Sequence, residues 1–478
     1  MRRVLALLAI AGVAGSLQAQ APRLGTITFP TSGPPAAQAA FVRGVLWLHS
    51  FEYDSAAHAF RDAQRLAPDF AMAYWGEAMT YNHPVWNERD QGAALAALRR
   101  LAPTPEARRA KAPTHREQMY MDAIETLWAD GPKAQRDTAY EQAMERLVSA
   151  HPEDVEARAF EALAILGLSQ GTRVVPSYLR AAAIAEEIFR DNPDHPGAAH
   201  YLIHAYDDPE HAQLGLPAAR AYSRIAPDAP HAQHMTTHIF MALGMWDQVV
   251  SQNVIASGTH LGPHHYTAWW DYGLLQQGRP DSARALLVRT RQEMHPGPRP
   301  LAALAVMRAH YVIDAERWSD SVLQWPLDLA GADGVTRAID AFTQGYAALK
   351  RGESASARSR LAALDSVAGV GIPDAYGASG AAPAILAREL RAALLFADGR
   401  RDSALTLVRA AAASEDALPF DFGPPDIVKP THELSGEMLL VMGRQAEAQR
   451  EFERALARAP GRALSVAGLA AARHGGAN

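Results

Sequence analysis

The chain of 478 residues contains no cysteine. Disulfides, thiolate metal ligands and cysteine nucleophiles are excluded, so any metal must be held by nitrogen and oxygen. Charge of one sign is missing too. The 46 Lys and Arg stand against 52 Asp and Glu, a formal net charge of −6, which argues against nucleic acid as a partner. Past the N-terminus no stretch is apolar for the ~20 residues that a membrane-spanning helix needs. No β-rich segment and no phosphate-cradling Walker loop is present, and the sequences that come nearest to catalytic motifs fall short of them. GVGIPD from Gly369 lacks the third glycine of a dinucleotide turn, and GASGA from Gly377 lacks the spacing of a nucleophile elbow. His432 and Glu433 lack the second histidine of a zincin helix.

What is present is apolar: 48% of the residues are hydrophobic and 8% aromatic, enough for a sizeable core. Arg2 and Arg3 precede an apolar run from Val4 to Leu17, and Ala19 offers a small-residue cleavage point. This predicts a signal peptide over 1–19 and a mature chain that is periplasmic or secreted, with no membrane span after cleavage. Residues 20–35, rich in Pro, Gly, Ser and Thr, read as an extended lead-in.

A fixed period organises the rest. Gly44, Trp47, Tyr53, Ala56, Phe60, Ala63 and Pro68 form one unit, and Ala448, Phe452, Ala455 and Pro460 repeat its second half. Weaker copies run through Gly278, Ala283 and Leu287, through Gly345, Gly352, Ala357 and Leu361, and through Gly399 and Ala404. Small residues let two antiparallel helices approach, the phenylalanine fills the gap, and the proline stops the second helix. The order and spacing of these residues resemble the tetratricopeptide repeat family over most of the mature chain. The expected fold is all-α: about ten αα-hairpins over 36–462, stacked into a superhelix with a concave and a convex side. Irregular insertions are expected near 84–115, 294–301 and 365–383 as candidate lids, the first holding a helix over 91–101. A capping helix and frayed tail are expected over 463–478.

The histidines follow the same period. His200 and His204 are one helical turn apart, His234 and His238 repeat the spacing, and the two pairs are 34 residues apart. They occupy equivalent places on neighbouring first helices. The resemblance implies that these places face the concave groove, so that four imidazoles converge on one ion, with His231 as a possible further ligand. Glu433 and Glu437 stand as far before Pro460 as His200 and His204 before Pro227, which makes them further candidate ligands or, for one of them, a general base. Asp207, Asp208 and Asp228 are at hand to fix imidazole tautomers. The same first-helix reading assigns His49, Trp75, Glu77, His83, His265, Tyr272 and His310 to a ligand surface in the groove. Against these readings stand bland ones: satisfied histidines, solvated glutamates and core tryptophans.

The sequence therefore predicts an exported scaffold whose groove binds a peptide, a protein partner or a small ligand, with a histidine cluster holding Zn, Cu, Fe, Ni or Mn. The alternative is a metal-dependent hydrolase or oxidoreductase built on an α-solenoid. Four histidines would close the coordination sphere of an ion, and three would leave a place for water.

Overall fold

Each end of the repeat array is assembled around one phenylalanine ring. Near the N-terminus, α1 (Pro35–His49), α2 (Tyr53–Leu66) and α3 (Ala71–Met79) meet at Phe60, which is fully buried. A Cβ on Gly44 would lie 2.7 Å from this ring and one on Gly76 would lie 2.3 Å from it, so only hydrogen fits at either place. Phe452, near the C-terminus, sits in the same way between Gly436 and Gly468, at 2.8 and 2.3 Å. The repeat unit is thus a packing unit: one large ring from a second helix, held between small residues of two first helices.

The computed structural model describes residues 21–169, 173–258, 265–294, 297–329, 331–369, 379–420 and 422–475. The expected leader over 1–19 lies outside them, as do parts of the second and third insertions and the end of the tail. After α3 the chain makes a two-stranded antiparallel hairpin, β1 (Asn82–His83) with β2 (Glu88–Arg89), and then α4 (Gln91–Leu101) and the short α5 (Pro105–Ala110). Antiparallel pairs follow: α6 (His115–Leu127) with α7 (Lys133–Ala150), α8 (Val155–Gly167) with α9 (Val175–Asp191), α10 (Pro196–Tyr206) with α11 (Ala212–Ile225). Next come α12 (Pro230–Ala242) with α13 (Trp246–Ser257) and α14 (His265–Gln276) with α15 (Pro280–Glu293). A single α16 (Pro298–Asp314) with a 3-10 turn after it leads to α17 (Gly334–Lys350) with α18 (Ser354–Ala368) and α19 (Ala382–Ala397) with α20 (Arg401–Asp416). The array ends with α21 (Thr431–Val441), α22 (Gln445–Arg458) and the closing α23 (Ala463–His474). This is an all-α superhelix of αα-hairpins. Among the described residues no helix is long and apolar enough to cross a membrane.

The core runs along the array in three stretches, from Leu24 to Tyr272, from Val250 to Ala347 and from Ala309 to Ala472. Two strands of irregular chain tie it together. The lead-in lies across loop tips, with Thr26 N–H donating to the Asp194 carbonyl at 3.0 Å, Arg23 paired with Asp228, and Leu24 and Phe29 buried. At the other end Arg462, fully buried, reaches Asp314 at 2.6 Å, Glu433 at 2.8 Å and the Tyr272 hydroxyl at 3.1 Å. Trp246 donates to the Gly461 carbonyl at 2.9 Å. The last hairpin is thereby docked against α13, α14 and α16, and the segment between α20 and α21 is laid over the inner helices.

Candidate metal centre

Helix α10 starts at Pro196, where the missing N–H is no loss, and His195 before it caps the helix by accepting from Ala198 N–H at 3.1 Å. Pro230 starts α12 in the same way. The two helices bring five imidazoles together. Around the circuit His200, His204, His238, His234, His231 and back to His200, ring centroids are 4.8, 5.7, 5.1, 6.1 and 5.1 Å apart. All five residues are between 0% and 4% exposed.

Hydrogen bonds on the outer side of the rings fix which nitrogen faces inward. His200 Nδ1–H donates to the His49 carbonyl at 2.7 Å, and a carbonyl can only accept. His234 Nδ1–H donates to Asn253 Oδ1 at 2.7 Å; the Asn253 amide nitrogen is committed to the Val249 carbonyl at 3.0 Å and to Thr237 Oγ1. His238 Nδ1–H donates to Asp207 Oδ2 at 3.0 Å. In each of these rings Nε2 therefore carries the bare lone pair. Among the described residues Nε2 of His200, His231 and His204 has no hydrogen-bond partner, and neither has Nδ1 of His204, which lies 3.7 Å from Asp207 Oδ2; His231 Nδ1 is engaged by the Tyr266 hydroxyl at 3.0 Å. His200, His204 and His231 each offer a ring nitrogen within 4.8 Å of the other two, and His204, Asp207 and His238 form a second such group.

Electrostatics keep these nitrogens available. Burial, and then the neighbouring imidazoles, hold His200, His231 and His234 well below the usual histidine range. Burial also lowers His238, against the pull of Asp207. The downward shift of these four rings favours the neutral form, which is the one that binds metal. Burial alone would raise the Asp207 carboxyl, but the nearby His204 ring, the bond from His238 and the charge of Arg173 outweigh it and hold the group ionised.

The cluster is roofed rather than open. Phe422, from the segment between α20 and α21, packs on His238 at 4.7 Å, and Gly423 beside it, at φ 112°, lets the backbone come against Trp269. Trp269 in turn lies 4.5 Å from His238. Trp86 of the β-hairpin covers His231 at 5.5 Å. Phe51, held in the left-handed region at φ 53°, lies 4.3 Å from His200 and also lines a small, mainly apolar cavity with Leu48, Met79, Tyr140, Phe160 and Leu163. Phe422, Asn253 and Phe51 escape the sequence reading. Only the histidine spacing signals that something must surround those rings.

The structure places the other expected residues differently. Glu433 and Glu437 are not ligands in waiting: Lys429 pairs with both, and Arg462 and Ser465 bind Glu433 as well. Arg462 and Lys429 outweigh burial and hold Glu433 down to about 2. His49 is not on a ligand surface but shares Glu156 with His195, at 2.7 and 3.2 Å, with Tyr201 on its other nitrogen. Although these three could in principle hold a metal, both nitrogens of each ring are already engaged. Trp75 is a core residue, packed on Phe29, Phe41, Tyr120 and Phe160. Glu77 is buried under Arg61, Arg100 and Gln64. Tyr272 is held by Arg462, and His310 lies between Asp314 and the Pro425 carbonyl. Burial removes these five from any groove surface. His83, half-buried and stacked on Tyr53 at 3.9 Å, and the exposed His265, 4.5 Å from His234, do reach the surface.

No family model and no curated protein sequence matches the chain. Among solved structures it is similar to a tetratricopeptide repeat protein from Parabacteroides merdae, at 10% identity over 70% of this chain and 99% of that one, with a TM-score of 0.31. It is similar also to yeast Tom70, at 14% identity over 92% and 95% with a TM-score of 0.35. A third is human IFIT1, solved as a dimer with m7Gppp-AAAA, at 14% identity over 89% and 90% with a TM-score of 0.38. Such likeness concerns the helical fold and nothing finer. The chain's own geometry shows the fold: an all-α array of antiparallel helix pairs with the same ring-between-glycines packing at Phe60 and Phe452, a helical-repeat architecture similar to that of tetratricopeptide repeat proteins.

Proposed function

We propose that the protein is an exported helical-repeat scaffold that holds a transition-metal ion, zinc or copper before others, on His200, His204 and His231. The observation that carries this is the set of unpartnered nitrogens on three buried rings within 4.8 Å of one another. A buried polar group left without a partner costs about 1–3 kcal/mol, and a single ion would satisfy all three at once. An all-imidazole donor set suits zinc, copper, iron and nickel. The carboxylate and carbonyl acceptors behind His238 and His200 are the usual outer partners of ligating imidazoles. His234 and His238 stand in the same circuit, and the trio rather than the four-ring set is the primary site.

The ligand part of the proposal draws on the inner face itself, which accepts an extended aromatic segment of this chain around Phe422; a peptide of like character would bind beside it or in its place. The enzyme reading is supported by the ligand count, because three protein nitrogens leave a fourth position for water or substrate. The test is metal analysis of untagged protein, stripped by a chelator and then given zinc. At least one ion per chain is expected, bound at micromolar or tighter affinity and lost in the His200→Gln/His231→Gln variant. Zinc that fails to bind the folded wild-type chain refutes the proposal. Sequencing the N-terminus of the mature protein tests export, with cleavage after Ala19 as the expected result.

A further inference from the structure

We infer that the circuit of imidazoles is a two-ion centre, with a second metal site between His234 and His238. The inference rests on the metal-binding reading above and extends it to residues that the trio does not use. His234 Nε2 and His238 Nε2 lie 3.3 Å apart. Both rings donate from Nδ1, to Asn253 Oδ1 and to Asp207 Oδ2, so the two Nε2 atoms meet lone pair to lone pair. Two acceptors at that distance repel unless a cation sits on both. Metal–nitrogen bonds of about 2.0–2.1 Å at a tetrahedral centre place two ligand nitrogens about 3.3–3.4 Å apart. The observed spacing is therefore that of one edge of a zinc-type coordination polyhedron.

One ion cannot take all five rings. A four-coordinate ion has places for four ligands, and the circuit offers five rings. The rings sort themselves instead. His200, His204 and His231 converge as a trio, while His234 and His238 touch each other through their bare nitrogens. Asp207 stands between the two sets. Its Oδ2 accepts from His238 at 3.0 Å and lies 3.7 Å from His204 Nδ1, so one carboxylate backs a ligand of each ion. The aromatic walls around the pair, Trp269 at 4.8 Å from His234 and Phe422 at 4.7 Å from His238, keep out water that would otherwise compete for the lone pairs.

The experiment is zinc stoichiometry by native mass spectrometry and by elemental analysis of the full mature chain, stripped and then titrated with zinc alone. The wild type is expected to bind two ions. His234→Gln/His238→Gln is expected to keep one, and His200→Gln/His231→Gln to keep the other, both variants having first shown the helical circular dichroism of the wild type. One ion in the wild type, lost only with the trio, overturns the second site and leaves the first standing; the short nitrogen contact then holds a shared proton. One ion lost in both variants overturns it as well, since all the rings would then serve one site. No zinc at all removes this inference together with the proposal beneath it. The wild-type count needs no variant to fold, so it decides alone if the substitutions unfold the chain.

Discussion

Asp207→Asn is the substitution that separates the structural from the metal-binding role of the cluster. The carboxylate is fully buried and pairs with Arg173, whose side chain is 7% exposed. Arg173 also pairs with Asp208 and donates to the carbonyls of His204 and Ala205. Asparagine keeps the shape and one acceptor oxygen and removes the charge. Breaking a buried ion pair from one side costs about 3–5 kcal/mol. Asp208 still neutralises Arg173, so the expected loss is at the lower end, about 3 kcal/mol in a urea titration of the metal-free protein at pH 7. The sign of its pH dependence follows from the lowered carboxyl. A carboxylate whose folded pKa is depressed contributes stability above its unfolded value of about 3.9. The gap between wild type and variant is therefore full at pH 7, shrinks below about pH 4, and closes as the pH falls through the folded value. The second readout is zinc affinity. Loss of the carboxylate behind a ligating imidazole weakens metal binding about 10–100-fold, or about 1.4–2.7 kcal/mol. A variant with a urea midpoint unchanged to within about 0.5 kcal/mol would refute the ion-pair reasoning, and one with unchanged zinc affinity would refute the role given to Asp207 at the metal.

The packing unit is tested at Phe60. Phe60→Ala is expected to lose about 3–5 kcal/mol, and Gly76→Ala, which drives a methyl to within 2.3 Å of the ring, about 1–3 kcal/mol; a neutral Gly76→Ala in urea unfolding would show that the helices are not held at that distance. Glu433→Gln leaves the buried Arg462 and Lys429 short of a counter-charge and is expected to cost about 3–5 kcal/mol. It should also expose the last hairpin to protease before the rest of the chain, so a uniform cleavage pattern would contradict the docking role. His432 sits between Glu451 and Asp416. Burial lowers its pKa, but these carboxylates outweigh burial and leave it raised. Its contribution is then fully present below the unfolded value of about 6.5 and is lost as the pH rises through the folded one. His432→Gln should therefore be more damaging at pH 5.5 than at pH 9 in urea unfolding, and an equal penalty at both would contradict the assignment.

The period of the sequence and the fold agree because both are local. Phe60 and Phe452, with small residues at fixed offsets, specify how three consecutive helices touch, and that needs no knowledge of the distant chain. The same locality places His200 and His204 beside His234 and His238, since equivalent positions on adjacent first helices must be neighbours. It says less about which ring completes a group. His231, one turn before His234, is the ring that joins the trio, and that depends on how α10 and α12 pack rather than on spacing. The fate of Glu433 and Glu437 was half legible: Lys429, four residues before the first of them and just ahead of α21, is a nearby cation visible in the sequence, whereas Arg462 reaches Glu433 only because the chain turns back after α22.

Exposure is the property that a repeat pattern does not encode. The period says which residues share the inner face of a superhelix; whether that face meets water depends on what the rest of the chain lays over it. Here the answer comes from Arg462, Asp314 and Tyr272, which dock the last hairpin on the middle helices and so hold the segment around Phe422 against His238. The β-hairpin with Trp86 closes the other side. An imidazole on an open groove would hydrogen-bond to water and need no ligand. The same imidazole under Phe422 and Trp86 has lost that water, and at Nε2 of His200, His204 and His231 no group among the described residues replaces it. Closure of the superhelix is thus what turns a register of histidines into a site that an ion would stabilise.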